Sequence, residues 1–304
     1  MGGYSSEREI SLRSGQAVAE ALSLEGHRVL SLDITTNDPA RIIQQLQVVP
    51  LDIAFIALHG RLGEDGVIQG ILEKLDIPYT GSGVKSSQMA FNKILTQKVL
   101  VSAGLPVAPH YCITDGRSVD FNIVRSHIKS TPLVVKPACE GSSIGVHIVR
   151  HPSEWEPALK NALSYGPQVI IEQFIKGREF TAGIFDQEAL PVVEICPKTN
   201  FFSFSAKYQK GETRYICPAE IPEGLTAKIK ELSLKAVEAL GCEGFARVDL
   251  RVDESGQPYI LEVNTIPGFT GTSLFPKAAR EAGYSFVQVC EKLLDLAYGK
   301  KIQR

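Results

Sequence analysis

Residues 245–264 read FARVDLRVDESGQPYILEVN, two runs of alternating apolar and polar residues with a turn sequence between them. This pattern predicts a β-hairpin, because side chains on a strand share a face at every second residue. Arg247 and Asp249 then point to the same side of the first strand. Glu262 and Asn264 likewise share a side of the second strand. The hairpin therefore presents two polar pairs, and the turn decides whether they meet.

The turn between the two strands contains Ser255 and Gly256. If the reversal is centred on these two residues, with an even number of loop residues, Asp249 lies opposite Glu262 and all four polar side chains share one face. An odd loop, such as a type I turn with a bulge at Gly256, would place the two carboxylates on opposite faces. A shared face therefore requires the even loop.

A shared face would gather two carboxylates, an amide and a guanidinium, and like charges directly opposite one another are destabilising. A cation among them removes that cost. Magnesium bound to a nucleotide phosphate is such a cation, and it prefers oxygen ligands. The alternative is an exposed hairpin face with ordinary solvated charges, and the two strands alone leave both interpretations open.

The composition is that of an ordinary globular protein, with 304 residues, 44% hydrophobic and 22% charged. This length exceeds one typical hydrophobic core, so we expect two or three domains. A net charge of −2 and a pI near 6.3 give no bulk attraction for nucleic acid or an anionic membrane. No run approaches the roughly 18 apolar residues of a membrane-spanning helix, and no signal-peptide pattern opens the chain. We expect a cytoplasmic protein with neither a nucleic-acid nor a membrane partner.

The six cysteines are scattered without the paired spacing of zinc sites or disulfide frameworks. The six histidines form no HExxH pattern. Any metal chemistry should therefore use oxygen ligands and a hard ion such as Mg²⁺.

The first segment, residues 1–90, alternates helical and strand patterns. Helices are predicted at 11–24 and 40–46, and strands at 29–32 and 53–58. Such alternation is typical of a parallel sheet with helices on its faces.

The second segment, residues 91–174, has short strand patterns separated by polar turns, as expected for a small α+β lobe that acts as a lid. Its predicted strands lie at 133–136, 146–149 and 169–172, and a helix is predicted at 155–163.

The third segment, residues 175–304, contains the hairpin and an aromatic and polar loop at 200–215 with no clear period. Loops of that length inside compact domains are usually functional. The other predicted elements are strands at 180–185 and 191–195, a helix at 225–240 and a closing helix at 286–297.

A glycine- and serine-rich loop, EGSSIG at 140–145, follows the predicted strand that ends in Lys136. Glycines let a backbone approach a phosphate, and serine hydroxyls and successive N–H groups can donate hydrogen bonds to it. Lys93 and Lys136 precede segments suited to holding phosphate oxygens. The alternatives are a plain turn and two solvated surface lysines, because the loop matches neither the Walker A nor the dinucleotide-binding pattern.

Seven short motifs occur in order along the chain. They are SEREIS (6–11), ALHG with GEDG (57–66), PYTGSG (78–83), VKP with EGSS (135–143), AKY (206–208), ARVD (246–249) and LEVNTIPG (261–268). Together they resemble the D-alanine–D-alanine ligase family, a branch of the ATP-grasp enzymes, nearly from end to end. The resemblance implies an ATP-grasp fold with an N-terminal parallel α/β domain (1–90) and two α+β lobes (91–174 and 175–304) that clasp ATP.

The resemblance also implies roles for particular residues in nucleotide and metal binding. Arg247 and the backbone N–H of Gly268 match the groups that stabilise the oxygen charge of the tetrahedral intermediate. The implied ligands of Mg²⁺ or Mn²⁺, with two ions expected, are Asp249, Glu262 and Asn264. The implied ATP contacts are Lys93, Lys136 and Lys207 at the phosphates and Glu172 and Glu179 at the adenine and ribose.

The implied substrate contacts form a second group. Glu7, Ser142 and Tyr208 resemble the set that holds the first D-alanine and the closing loops, with Glu7 on the substrate ammonium. His59 resembles a further contact to the first D-alanine, while Ser273 and Leu274 resemble the groups that receive the carboxylate of the second. A tyrosine at 208 resembles ligases that make D-Ala-D-Ala rather than D-Ala-D-lactate.

The implied reaction is ATP-dependent ligation of two D-alanine molecules through an acyl phosphate, for peptidoglycan precursor synthesis, by a homodimer. One alternative is another ATP-grasp carboxylate–amine ligase with a different dipeptide product. A second alternative is a nucleotide-binding regulatory module without turnover. Such a module would be expected to have lost one of Arg247, Glu262 or Asn264, and all three are present.

The sequence departs from the family pattern at a few positions. It begins Met1-Gly-Gly-Tyr4, where the family has a short apolar strand before the glycines. Either translation starts further upstream or the sheet lacks one strand, in which case Glu7 would be less firmly placed. Asn92 stands where the family often has an acid, and we expect little effect. Cys139 is a candidate for oxidation or alkylation, although a packed, inert thiol is the favoured interpretation.

Overall fold

The computed structural model describes residues 1–198 and 212–302. The helices in these ranges are α1 (Arg8–Leu24), α2 (Pro39–Gln47), α3 (Val67–Lys74), α4 (Val84–Phe91), α5 (Lys93–Ser102), α6 (Phe121–Ile128), α7 (Trp155–Leu163), α8 (Glu223–Ala239), α9 (Leu274–Glu281) and α10 (Phe286–Ile302). The strands are β1 (His110–Ile113), β2 (Leu133–Pro137), β3 (His147–Val149), β4 (Val169–Gln173), β5 (Gly177–Phe185), β6 (Glu188–Ala189), β7 (Val193–Pro197), β8 (Thr213–Ile216), β9 (Phe245–Asp253) and β10 (Pro258–Asn264). No helix in the described part of the chain has both the length and the apolar character needed to cross a bilayer.

The N-terminal part packs α1 to α4 around extended segments. The helix α2 carries an ordinary start signal: it begins at Pro39, and the Asp38 carboxylate accepts a hydrogen bond from Ala40 N at 2.9 Å. Two isolated parallel bridges join extended residues, one between Gly2 and Ile34 and one between Ala54 and Tyr79. The parallel direction agrees with the α/β pattern in the sequence.

The strands predicted at 29–32 and 53–58 are wrong, because neither segment forms a strand ladder. A strand needs a neighbouring extended segment to pair with its backbone N–H and C=O groups. In the described structure, residues 1–3 provide the backbone partners of this first region, at Leu32 and Ile34. The parallel sheet expected here is therefore reduced to bridges.

A four-stranded antiparallel sheet of order β1-β4-β2-β3 forms the next unit. One face packs against α6 and α7, and its buried core includes Leu133, Ile171 and Trp155. Lys136 and Glu172 project from the opposite face, because they alternate with the core residues of β2 and β4. The sheet thus carries its polar groups on the side away from its own core.

A six-stranded antiparallel sheet follows, with the order β10-β9-β5-β7-β8 and with β6 beside β5. The helix α8 covers one face, where Phe180, Val248 and Ile229 are fully buried. Residues 213–216 form β8, so the end of the predicted loop at 200–215 is a strand instead, because it pairs with β7. Residues 200–211 of that loop lie outside the described residues.

A cluster of aromatic rings joins this sheet to the helices α9 and α10. Phe269 lies 5.6 Å from Phe245 and 6.0 Å from Phe275, and Phe185 lies 5.9 Å from Phe275, measured between ring centroids. These separations are those of favourable edge and tilted aromatic contacts. The same core includes buried side chains of α1 and α3, so the N-terminal part and the large sheet share one hydrophobic core.

Candidate active site

The hairpin β9–β10 places Asp249 opposite Glu262 and Arg247 opposite Asn264, as the sequence predicts. The predicted even-length turn is nevertheless wrong. Val252 pairs with Pro258, which leaves an odd number of residues in the loop. Gly256 in that loop has a φ of 85°, a conformation that favours glycine.

A β-bulge between Ile260 and Glu262 restores the register. The bulge adds Leu261 to β10, so the pairing shifts by one residue on the far side of it. Without the extra residue, the side chains of Glu262 and Asn264 would turn towards the core beneath the sheet. The bulge therefore brings the two carboxylates to one face despite the odd turn.

Asp249 is held by two neighbouring side chains on this face. Arg247 donates from Nε to Oδ1 at 2.8 Å and from Nη2 to Oδ2 at 2.7 Å, and Thr181 Oγ1 donates to Oδ1 at 2.6 Å. Only 6% of Asp249 is exposed. A bidentate arginine pair of this kind fixes the carboxylate and offsets the cost of burying its charge.

Lys93 links this face to the glycine- and serine-rich loop. Its Nζ donates to the carbonyl of Glu140 at 2.6 Å and lies 3.3 Å from Glu262 Oε2. Burial lowers the pKa of Lys93, but its Coulombic attraction to Glu262 and the hydrogen bond to it outweigh this, so the pKa is raised above its ordinary value. The ammonium therefore keeps its charge beside the acidic face.

Asn92, which stands where the family often has an acid, caps the helix that begins with Lys93. Its Oδ1 accepts hydrogen bonds from Ile94 N at 3.1 Å and Leu95 N at 3.3 Å, which caps α5. Asparagine is among the best helix N-caps. The cap fixes the first turn of α5, where Lys93 begins the helix.

Glu7 contacts the glycine- and serine-rich loop directly. Ser142 Oγ donates a hydrogen bond to Glu7 Oε1. A Cβ atom on Gly141 would lie 2.7 Å from Glu7 Oε2, and one on Gly60 would lie 2.8 Å from the same atom. The two glycines allow this close approach, and Glu7 is 9% exposed, so the structure holds it firmly.

His59 is buried, and both ring nitrogens have protein partners. Nδ1 lies 3.0 Å from the carbonyl of Ile266, and Nε2 lies 3.1 Å from Ser14 Oγ. A carbonyl can only accept, so Nδ1 carries the proton and donates to Ile266. The ring therefore joins α1 to the segment after the hairpin.

Lys136 and Glu172 form a buried ion pair on the open face of the small sheet, with 2.7 Å between Nζ and Oε2. Gln97 Nε2 donates to Glu172 Oε1 at 3.2 Å. Nearby in sequence, Glu179 Oε2 lies 3.6 Å from Arg251 Nη1. Burial lowers the pKa of Arg251, and Glu179 partly opposes this shift.

A cavity of about 740 Å³ opens between the three parts of the chain. Ten of the predicted site residues line it, namely Glu7, His59, Lys93, Ser142, Arg247, Glu262, Asn264, Gly268, Ser273 and Leu274. Four others do not, namely Lys136, Glu172, Glu179 and Asp249. Lys207 and Tyr208 lie outside the described residues.

Several cations at this cavity were not predicted from the sequence. Arg13, Lys277 and Arg280 line it. Arg280 Nη2 donates to the carbonyl of Gly271 at 3.3 Å, and the Lys277 ammonium lies 5.6 Å from the centre of the Tyr215 ring. The i,i+3 spacing of the two α9 cations on one helix face was the available signal. Such spacing is common on solvated helices, so it carried little information.

The oxygen donors on the hairpin face suit a hard divalent ion. Among residues 1–198 and 212–299, no three His, Cys, Asp or Glu side chains come together as a metal-binding group. The face instead offers two carboxylates and the amide oxygen of Asn264, which accepts a hydrogen bond from Ile266 N at 2.9 Å. Magnesium is commonly bound by one or two carboxylates together with substrate phosphates, so this donor set fits it.

Comparisons with known proteins agree with this geometry. A family model described as the D-ala D-ala ligase C-terminus matches residues 99–295, and one described as the D-ala D-ala ligase N-terminus matches residues 37–82. A D-alanine–D-alanine ligase of Pelotomaculum thermopropionicum is 44% identical over 98% of this chain and 95% of its own length. One of Geotalea uraniireducens is 46% identical over 98% of this chain and 94% of its own length.

Solved structures of D-alanine–D-alanine ligases are also similar to this chain. The crystal structure of D-alanine–D-alanine ligase from Bacillus anthracis complexed with ATP is 33% identical to this chain, with a TM-score of 0.86. The match covers 100% of this chain and 97% of that one, which confirms the expected ATP-grasp fold. By sequence and by structure, this chain belongs to the D-alanine–D-alanine ligase family.

Proposed function

We propose that this protein joins two D-alanine molecules to D-alanyl-D-alanine for peptidoglycan precursor synthesis, with ATP converted to ADP and phosphate. The observation that carries the proposal is the shared cavity. It brings Glu7 from the N-terminal part, Lys93 and Ser142 from the middle of the chain, and Arg247 and Glu262 from the hairpin to one space. Two amino acids and a nucleotide tail need such convergent charged and polar groups.

ATP is placed by groups from both sheets in this proposal. Lys93, Lys136 and Lys207 contact the phosphates, and the loop of residues 140–145 covers them. Glu172 reads the adenine amino group and Glu179 the ribose hydroxyls. The buried pairing of Lys136 with Glu172 supports this assignment, because both side chains project from the side of the small sheet away from its core.

Asp249, Glu262 and Asn264 are the residues that would hold Mg²⁺ or Mn²⁺. When bound there, the ions would neutralise phosphate charge. The hairpin register supports this role, since it sets the two carboxylates opposite each other on one face. We propose two ions, as the family resemblance implies.

The first D-alanine is bound by its ammonium at Glu7, and His59 lies beside it in the same cavity. Its carboxylate is a poor acyl donor, so it first takes the γ-phosphoryl group of ATP. The products of that step are ADP and an acyl phosphate. In the later attack on the acyl carbon, Arg247 and the N–H of Gly268 stabilise the negative charge on the oxygen of the tetrahedral intermediate.

The second D-alanine is bound by its carboxylate at Ser273 and Leu274, where α9 begins. The N–H groups at a helix start favour an anion there. Its amine attacks the acyl carbon, a C–N bond forms, and the C–O bond to phosphate breaks. The dipeptide and phosphate are released. We assign the preference for an amine over a hydroxyl at this step to Tyr208.

We also propose that the division at 1–90, 91–174 and 175–304 describes three lobes that close on the substrates, and that the protein acts as a cytoplasmic homodimer. The separate antiparallel sheets of the second and third segments support the division. The dimer and the location rest on the family alone.

Phosphate release from ATP tests the proposal. D-Alanine, L-alanine and D-lactate are offered separately and in pairs, with Mg²⁺ present. We expect sustained release with D-alanine alone and the dipeptide as product. Release with a different acid and amine pair would support another ATP-grasp ligase, and ATP binding without release in every case would indicate a regulatory module.

A further inference from the structure

Arg61 makes a contact between the N-terminal part and the glycine- and serine-rich loop. Its Nε and Nη2 lie 3.0 and 2.9 Å from Glu140 Oε1, and Nη2 also donates to the carbonyl of Tyr165 at 3.1 Å. Arg61 follows Gly60 in a loop that is itself fixed, because Gly60 N donates to Glu64 Oε1 at 2.9 Å. Arg61 therefore extends from a hydrogen-bonded loop of the N-terminal part to Glu140 and Tyr165.

Glu140 is held from two sides. Its carboxylate accepts from Arg61, and its backbone carbonyl accepts from Lys93, which in turn lies beside Glu262. A chain of contacts thus runs from the N-terminal part through the start of the loop to the acidic face of the hairpin. The first link of this chain is also the most exposed, with 44% of the Arg61 side chain accessible.

The loop that Arg61 holds is in an unfavourable backbone conformation. Ser142 and Ser143 have φ values of 50° and 60°, which non-glycine residues adopt only when their surroundings hold them there. Gly145 packs so closely on Tyr165 that an added Cβ atom would lie 2.8 Å from the ring. Contacts at both ends therefore keep the loop against the cavity.

We propose that Arg61 is a positioning residue, which holds the loop of residues 140–145 closed and keeps water from the acyl phosphate. This inference rests on the ligase function proposed above. Arg61 does not touch the reacting atoms; it acts through Glu140 and the carbonyl of Tyr165. Its side chain is absent from the cavity lining, while Glu140 and Ser142 belong to it.

The consequence is a competition between two nucleophiles at the acyl carbon. When the amine of the second D-alanine attacks, the products are the dipeptide and phosphate. When water attacks instead, the acyl–oxygen bond to phosphate breaks and the first D-alanine is regenerated, so ATP is hydrolysed without a dipeptide. A loosened loop admits water and raises the second outcome.

The test measures phosphate and dipeptide in the same reaction for wild type, Arg61→Ala, Arg61→Lys and Arg61→Glu. An exposed ion pair shifts an equilibrium by about two- to five-fold, and we expect the excess of phosphate over dipeptide to rise by that factor in Arg61→Ala. Arg61→Lys keeps the charge but not the two-nitrogen contact, so its excess of phosphate over dipeptide should lie between those of wild type and Arg61→Ala. The charge-exchanged double variant Arg61→Glu with Glu140→Arg should recover coupling relative to Arg61→Glu.

Arg117→Ala is the matched control, because Arg117 Nε lies 3.1 Å from Asp115 Oδ2 in an exposed pair outside the cavity lining. If the ratio of phosphate to dipeptide is unchanged in Arg61→Ala while wild type makes both products together, the role of Arg61 is overturned and the proposed function stands. Failure of wild type to make any dipeptide would instead overturn the proposed function. Equal loss of coupling in Arg117→Ala would show a non-specific charge effect and also reject the inference.

Discussion

Lys93 Nζ lies 3.3 Å from Glu262 Oε2 and 2.6 Å from the carbonyl oxygen of Glu140, so one ammonium joins the hairpin face to the loop above the cavity. The pair sits at a boundary between two sheets, with 11% of the Lys93 side chain and 28% of the Glu262 side chain exposed. A cation in this position can meet both an acidic face and a phosphate. Opening the loop of residues 140–145 and removing the Glu262 carboxylate should therefore both disturb the position of the Lys93 ammonium.

Glu262→Gln should lower turnover by at least about 100-fold, because it removes the negative charge of a proposed metal ligand, which is worth several kcal/mol at the transition state. The fold should survive, since Glu262 is only partly buried. Initial rates of ADP formation and a thermal melt check this. Glu254→Gln, on the turn of the same hairpin and 70% exposed, is the control and should keep full activity. A Glu262→Gln variant with the wild-type rate would exclude Glu262 as an essential ligand.

Gly141→Ala should raise the KM for the first D-alanine by about tenfold, which corresponds to about 1.4 kcal/mol of lost binding. The added Cβ atom would lie 2.7 Å from Glu7 Oε2 and displace the carboxylate that we propose binds the substrate ammonium. The KM for ATP should change little. Gly224→Ala meets nothing within 4 Å and should leave both constants unaltered. Equal increases in both KM values would point to a general disturbance of the loop.

The cysteines should react slowly with iodoacetamide in the folded protein at pH 7.5. Burial raises the pKa of Cys217 to about 11 and those of Cys242 and Cys290 to about 12. Burial also raises the pKa of Cys139, although Lys93 and Arg61 oppose the shift. A raised pKa leaves less thiolate, which is the reactive form, so alkylation of these four cysteines should increase as the pH rises above 9.

Mass spectrometry of the alkylated protein, compared with the denatured chain, measures this reactivity. The raised pKa values also mean that the neutral thiols contribute stability below pH 9, and that this contribution is lost as the pH rises towards 12. Rapid modification of Cys139 at pH 7.5 would show that it is a reactive site, contrary to the packed-thiol interpretation.

Tyr208→Phe should raise the share of D-Ala-D-lactate over D-Ala-D-Ala by about two- to tenfold, the effect of losing one hydrogen bond. The reason is that a phenol can link the closing loop to a serine and a glutamate, and phenylalanine cannot. Product ratios from an equimolar mixture of D-alanine and D-lactate give the answer. Tyr259→Phe, outside the cavity lining, should not alter the ratio. Unaltered selectivity in Tyr208→Phe would remove the role assigned to that phenol.

The sequence predicted the hairpin face for a partly wrong reason. Alternation correctly paired Asp249 with Glu262, but the turn is odd and a bulge at Leu261 compensates for it. The turn sequence allows either loop length, and the sequence of the second strand does not mark the bulge. The odd loop and the bulge each shift the register by one residue, and the two shifts cancel, so the predicted shared face is correct.

Other features depend on partners that a linear pattern does not show. The segments 29–32 and 53–58 are rich in residues that favour strands but form no strand ladder, since a ladder also needs a neighbouring segment to pair with. Arg61 and Arg280 were missed because an arginine in a loop or on a helix surface is usually solvated. Their contacts, with the Glu140 carboxylate and with the carbonyl of Gly271, depend on the fold and are not visible in the linear sequence.

The most direct test of the reaction follows one oxygen atom. D-Alanine labelled with ¹⁸O in its carboxylate is incubated with the protein, ATP and Mg²⁺, and the released phosphate is analysed by mass spectrometry. Transfer of the γ-phosphoryl group to that carboxylate predicts one labelled oxygen in each phosphate released with a dipeptide. Phosphate without label, formed while labelled dipeptide accumulates, would contradict an acyl phosphate and with it the proposed chemistry of the cavity.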